Sequence, residues 1–137
     1  MLKRELKFIN PTDLYDPTPN GYSHIAIVPA HRATVYIAGQ GGEDKNGNLA
    51  TNFVDQLKQA FANLHIALDA AGTSPEYVVK INTYVVNHNE VKLKQLTSEI
   101  LSIWGQQPPA QTLVPVPRLA LDGMLFEVEA IAVIPES

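Results

Sequence analysis

Pro108-Pro109-Ala110-Gln111-Thr112-Leu113-Val114-Pro115-Val116-Pro117-Arg118-Leu119, a turn at Asp122-Gly123, then Met124-Leu125-Phe126-Glu127-Val128-Glu129-Ala130-Ile131-Ala132-Val133: the rest of the chain is organised around this stretch. The proline break stops whatever precedes it, because proline lacks an N–H and biases its predecessor away from helix. Two β-rich runs follow, and Asp-Gly between them predicts a hairpin. Side chains alternate along a strand, so Glu127 and Glu129 share one face. Two readings stand for them. They are carboxylates on the solvent face of an edge hairpin, or they line an apolar cleft between subunits. In the second case burial raises the carboxyl pKa, and the group can move protons near neutrality.

Working back from this stretch, Glu90 to Trp104 predicts a helix with Leu93, Leu96, Ile100 and Ile103 as its apolar stripe, closed by Gly105 and Pro108. Glu76 to Val86 predicts a long strand, with Val79, Ile81, Thr83 and Val85 on one face. Thr51 to Ala71 is the strongest helix. Its stripe is Leu57, Phe61, Leu64, Leu68 and Ala71, Thr51 or Asn52 caps the start, and Gly72 ends it. Ala33 to Ala38 is a β-branched strand. Pro29-Ala30-His31-Arg32 reads as a hairpin loop joining it to a weaker strand over 22–28. Residues 5–9 predict a short strand, and the proline- and glycine-rich segment 10–21 a loop.

The order β–β–α–β–α–β–β predicts an α+β fold: two helices on one face of a mixed, mostly antiparallel sheet. Apolar residues on both parities of 78–86 and 124–134 lead us to expect a partner subunit on the other sheet face. The 137 residues fit one domain spanning 1–137, and 45% apolar with 18% charged residues is a globular balance.

Composition removes several chemistries. Net charge is −4, and only Lys3-Arg4 are adjacent cations, so no basic stripe for nucleic acid is expected. With no cysteine, disulfides, thiol nucleophiles and cysteine-ligated metals are excluded. His24, His31, His65 and His88 fall at no metal-ligand spacing, and Ser23-His24 should point to opposite faces, so neither a metal site nor a triad is expected. Gly39-Gln40-Gly41-Gly42 follows a strand, but the spacing is not that of a dinucleotide loop; it reads as a turn whose amides could meet an anion. No cofactor is expected. The N-terminus lacks the apolar run of a signal peptide, and no run spans a membrane, so a cytoplasmic location is expected.

Several motifs in one order carry a resemblance. They are Tyr22-Ser23 before the first hairpin, Val35-Tyr36-Ile37-Ala38-Gly39-Gln40 at a strand end, and Gln56, Asn63-Leu64 and Ala70-Ala71-Gly72 on the first helix. Val79 to Val85 follows, then Pro109-Ala110, Arg118-Leu119 and Glu127-Val128-Glu129-Ala130-Ile131-Ala132. Together they resemble the YjgF/RidA family, the reactive intermediate deaminases also called L-PSP endoribonucleases.

The resemblance implies a chorismate-mutase-like fold and a homotrimer whose sheets line a central barrel, with three small-molecule clefts between subunits. In deaminating members an arginine after Pro-Ala clamps the carboxylate of a 2-imino or 2-enamino acid, and a tyrosine closes the cleft. Backbone groups hold the ligand, and a glutamate orients water. The resemblance places these roles on Tyr22, Gly39, Leu113 and Glu127, with Gln111 where the arginine would be. Glutamine offers an amide but no charge and no fork. Three functions remain open: a divergent imine or enamine hydrolase using Glu127, a trimer that binds a small ligand or a protein without turnover, and the family's ribonuclease activity. The acidic charge balance speaks against the third.

Overall fold

Asn52 starts the longer helix by accepting a hydrogen bond from Asp55 N at 2.9 Å, and Gly72 ends it in the left-handed region at φ 83°. The computed structural model describes residues 6–136. Its elements are β1 (Lys7–Ile9), β2 (Ile25–Ile27), β3 (His31–Gly41), α1 (Phe53–Ala71), β4 (Val78–Val86), α2 (Glu90–Trp104), β5 (Ala110–Val116) and β6 (Phe126–Pro135). Short 3-10 turns lie at Thr18–Asn20 and Pro75–Tyr77. Of the strand expected over 5–9, Glu5 lies outside the described residues.

The main sheet has the order β3-β6-β4-β5. β6 runs antiparallel to both neighbours and β5 parallel to β4. A parallel pair needs a crossover, and α2 supplies it. Both helices cover one face: Leu57, Phe61, Leu64 and Leu68 of α1 and Leu96 and Ile100 of α2 join Ile81, Val85, Phe126 and Val128 in one core. Phe126 is fully buried and meets Phe53 edge-on at 6.0 Å and Phe61 at 5.7 Å. Losing such a ring costs about 3–5 kcal/mol. This is the α+β, chorismate-mutase-like architecture that the element order and the resemblance imply.

Several local expectations are corrected. The runs around Asp122-Gly123 do not form a hairpin, because β4 lies between β5 and β6. The turn is there, with Gly123 at φ 87° and Met124 N bonded to Leu121 O at 3.3 Å, but the chain beyond it inserts between β3 and β4. The 29–32 hairpin is likewise absent: His31 already belongs to β3, and β2 pairs with β1 instead. Finally, a register shift between Val78 and Lys80 moves Val79 off the face of Ile81. Val79 packs with Tyr77 and Val133 in a second cluster, against Leu6 and Ala26. The chain's own N-terminal ribbon therefore covers part of the sheet face expected to need a partner. On α2, Thr97 is buried while Ile103 of the expected stripe is exposed. Among the described residues no helix is long and apolar enough to cross a membrane.

Candidate functional site

Glu127 sits on the central strand β6, opposite Gly41 of β3 and Tyr84 of β4. Phe126 and Val128 on either side of it are fully buried under the helices, so alternation turns Glu127 and Glu129 to the other face. Its carboxyl lies over Gly39, where any Cβ would collide with it. Partial burial raises its pKa above the ordinary carboxylate value, and the negative charges of Glu43 and then Glu129 add to that. The neighbouring acid is engaged differently. The Tyr84 hydroxyl donates to the Glu129 carboxylate, and that bond is the first cause of a raised Tyr84 pKa. Among the described residues no hydrogen bond reaches the Glu127 carboxyl. Glu127 is thus the acid left free to meet water or a ligand.

Tyr22, Gln111 and Leu113 come together elsewhere. With Asn20, Leu93 and Leu96 they line a pocket of about 220 Å³ between β5 and α2, and no lining residue carries a charge. Ser23 docks this segment on the edge of β5: its N–H bonds Pro109 O at 3.1 Å and its Oγ bonds Pro108 O at 2.6 Å. Buried Ser23 and outward His24 do point apart. Gly21, at φ 79°, lies against Thr97, where a Cβ would come within 3.2 Å. The Gln111 Oε1 accepts from Thr83 Oγ1 at 2.9 Å, and its Nε2 donates to Gly21 O at 3.5 Å.

Within one subunit these two sets face apart. Gln111 pairs with Ile81 and bonds Thr83, both buried on the helix side, and Leu113 packs on that core. Glu127 and Gly39 lie on the opposite face. β5 and β6 are also two strand spacings apart, about 10 Å across the sheet.

Two neighbours were not singled out from sequence. Glu43, just beyond β3, folds its carboxyl over Gly41 beside Met124. Tyr15 brings its hydroxyl to that of Tyr22, and His24 Nε2 donates to Tyr15 O at 2.8 Å. Neither carries a motif, and only an acid directly after the glycine run could have pointed to Glu43. Arg118 is exposed and paired with Asp122 at 2.9 Å, away from the pocket lining.

Residues 16–134 match the profile of the family described as Endoribonuclease L-PSP. The chain belongs to this family, the YjgF/RidA group. A RutC family protein of Pyrococcus horikoshii is 36% identical over 101 residues, 72% of this chain and 77% of that protein. A 2-iminobutanoate/2-iminopropanoate deaminase of Dermatophagoides farinae is 32% identical over 104 residues, 74% of this chain and 78% of that one. Among solved structures, the Rid family protein YyfB of Yersinia pestis, itself of unknown function, superposes with a TM-score of 0.89 at 35% identity, covering 96% of this chain and all of that one, 100%. The YjgF/RidA fold and membership are therefore established for this chain.

Proposed function

We propose that this YjgF/RidA protein works as a homotrimer with small-molecule clefts between subunits, and that Glu127 handles water there in the hydrolytic deamination of a reactive imine or enamine. The observation that carries the reading is the Glu127 carboxyl itself: half-buried, raised in pKa, seated on a glycine and free of any donor among the described residues. Such a group takes a proton from water as the water oxygen attacks the imine carbon. It returns that proton to nitrogen, giving a carbinolamine, and then carries the carbinolamine's hydroxyl proton to the same nitrogen. The C–N bond breaks, ammonia leaves and a carbonyl compound remains. An enamine enters the same path after protonation at carbon. The opposed halves support an assembly of subunits: a ligand touching both Gln111 and Glu127 needs one from each of two subunits.

Gln111 refines the substrate. Its amide is held at both ends within the chain, and no cation lines the pocket, so the ligand we favour carries no carboxylate. Losing a charge-assisted contact costs about 1.5–3 kcal/mol, or one to two orders of magnitude in affinity for a 2-imino acid. The same observation supports a second reading, a trimer that binds a neutral small molecule or a protein without turning it over. Net charge and the uncharged lining weigh against RNA.

Ammonia release and semicarbazone trapping should be followed with freshly generated 2-iminobutanoate and with its uncharged amide. Turnover that favours the amide and disappears in Glu127→Gln supports the hydrolase. No turnover of either compound by the native chain, with activity created by Gln111→Arg, supports the binding module. Sedimentation should give three times the 15.0 kDa chain mass, and a monomer would remove the shared cleft.

A further inference from the structure

Every other position on the outer face of β3's last turn is a glycine, and each lane is filled by a carboxyl from elsewhere. The Cβ position of Gly39 is occupied by Glu127. A Cβ on Gly41 would meet Glu43 Oε1 at 2.5 Å and Met124 Cε at 2.6 Å. Gly41 is also the register partner of Glu127. Alternate residues of a strand are about 7 Å apart, so the two carboxyls occupy neighbouring lanes of one sheet face. The Glu43 Oε1 is buried, and no donor among the described residues reaches it. A carboxylate oxygen in that setting is costly while both acids are ionised, and a proton on either of them relieves it.

We propose that Glu43 is a positioning residue that acts through Glu127: the two carboxyls share the glycine lanes of β3 and hold one proton between them in the range where the site works. The inference rests on the role proposed for Glu127. It deepens that role by saying why Glu127, once it has taken a proton from water, holds it long enough to give it to departing nitrogen. Other groups on this face are accounted for. Glu129 also faces Glu127 but is held by the Tyr84 hydroxyl, and Lys80 Nζ donates to Thr112 Oγ1 at 3.2 Å. From α1, only the amide of Asn63 reaches the Glu43 segment, at the Glu43 backbone carbonyl. The raised pKa of Glu127, with Glu43 its largest charge contribution, agrees with the geometry.

Carboxyl-labelled glutamate followed by ¹³C NMR across acid pH tests this without needing a substrate. We expect the Glu127 midpoint to move down in Glu43→Gln. Glu43→Ala serves as a second variant with the same expected shift should Glu43→Gln fold poorly. Where turnover is present, the acid limb of kcat/KM should move down with the Glu127 midpoint, and Glu43→Asp should restore part of the shift. Midpoints that stay at their native values in both variants overturn the proposal. Coupled titrations without ammonia release would sink the hydrolase reading alone, and ammonia release with uncoupled titrations would sink the role of Glu43 alone.

Discussion

Replacing Gln56 by methionine should destabilise the fold by about 2–4 kcal/mol, although the side-chain volume hardly changes. Gln56 is fully buried in the first turn of α1. Its Nε2 donates to Ala50 O at 2.7 Å and to Gly123 O at 2.8 Å, and its Oε1 accepts from Leu125 N at 2.8 Å. Methionine leaves three backbone groups without that partner. Stranding a buried polar group costs about 1–3 kcal/mol. Residues Ala50 and Gly123 are exposed, so water can replace much of what their carbonyls lose, and half-buried Leu125 carries most of the cost. Against a typical total stability of about 5–15 kcal/mol, this is a large share. Urea unfolding at fixed protein concentration measures it. The fluorescence of Trp104, the only tryptophan, is a natural probe because that ring stands edge-on to Phe61 of α1 at 6.0 Å. Gln56→Glu sharpens the test. It keeps the acceptor for Leu125 but turns a carboxylate oxygen toward two carbonyls, which should raise the folded pKa. Its deficit should grow as pH rises from the ordinary glutamate range towards neutrality. A loss below about 1 kcal/mol in Gln56→Met, or a pH-independent deficit in Gln56→Glu, would refute the reasoning.

Glu127 has a folded pKa above its ordinary value of 4.5, so the folded state holds its proton more tightly than the unfolded one. Stability should therefore fall as pH rises from 4.5 through the folded midpoint, and Glu127→Gln should be the more stable protein at pH 7, with the gap narrowing on acidification in thermal melts. Gly39→Ala should cost little stability, because its Cβ meets only a movable side chain, yet it should push the Glu127 carboxyl outward and return its NMR midpoint towards the ordinary value. By contrast, Gly42→Ala places a Cβ 2.6 Å from Gln56 Cα and should lower the melting temperature far more than Gly39→Ala does. Asn52→Ala removes the cap on Asp55 N and should cost about 0.5–2 kcal/mol in urea unfolding.

What the sequence discloses depends on how locally each feature is determined. The helix over Glu90 to Trp104 has those bounds in the structure because Asn89 caps Lys92 N at 2.8 Å and Gly105 ends the last turn, both signals within the segment itself. The face occupied by Glu127 also follows from alternation alone. Strand order does not: Asp122-Gly123 makes its turn, but β6 has a better place between β3 and β4, and nothing near residue 122 encodes that choice. The single register shift at Val78/Lys80 reverses the face of Val79, an effect that period-two counting cannot see. Glu43 escaped for the same reason. Its importance lies in which lane it fills, and that is fixed by a strand more than eighty residues further on.

The first helix shows how so distant an arrangement is kept in register. Gln56 and Asn63 are seven residues apart and so lie on nearly the same side of α1, two turns from one another. Gln56 holds Leu125 N just before β6 begins, two residues ahead of Glu127. Asn63 donates to Gly41 O at 3.0 Å and to Glu43 O at 2.8 Å, with its own Oδ1 accepting from Gln59 at 3.0 Å. One rigid helix therefore grips the backbone beside both carboxyls, although the strands that carry them are far apart in sequence. The amides matter because backbone at strand ends has unpaired groups that only a polar side chain can satisfy. The two polar breaks in the sheet-facing side of α1 thus fix the spacing between Glu43 and Glu127, and with it the proton that we propose the pair holds.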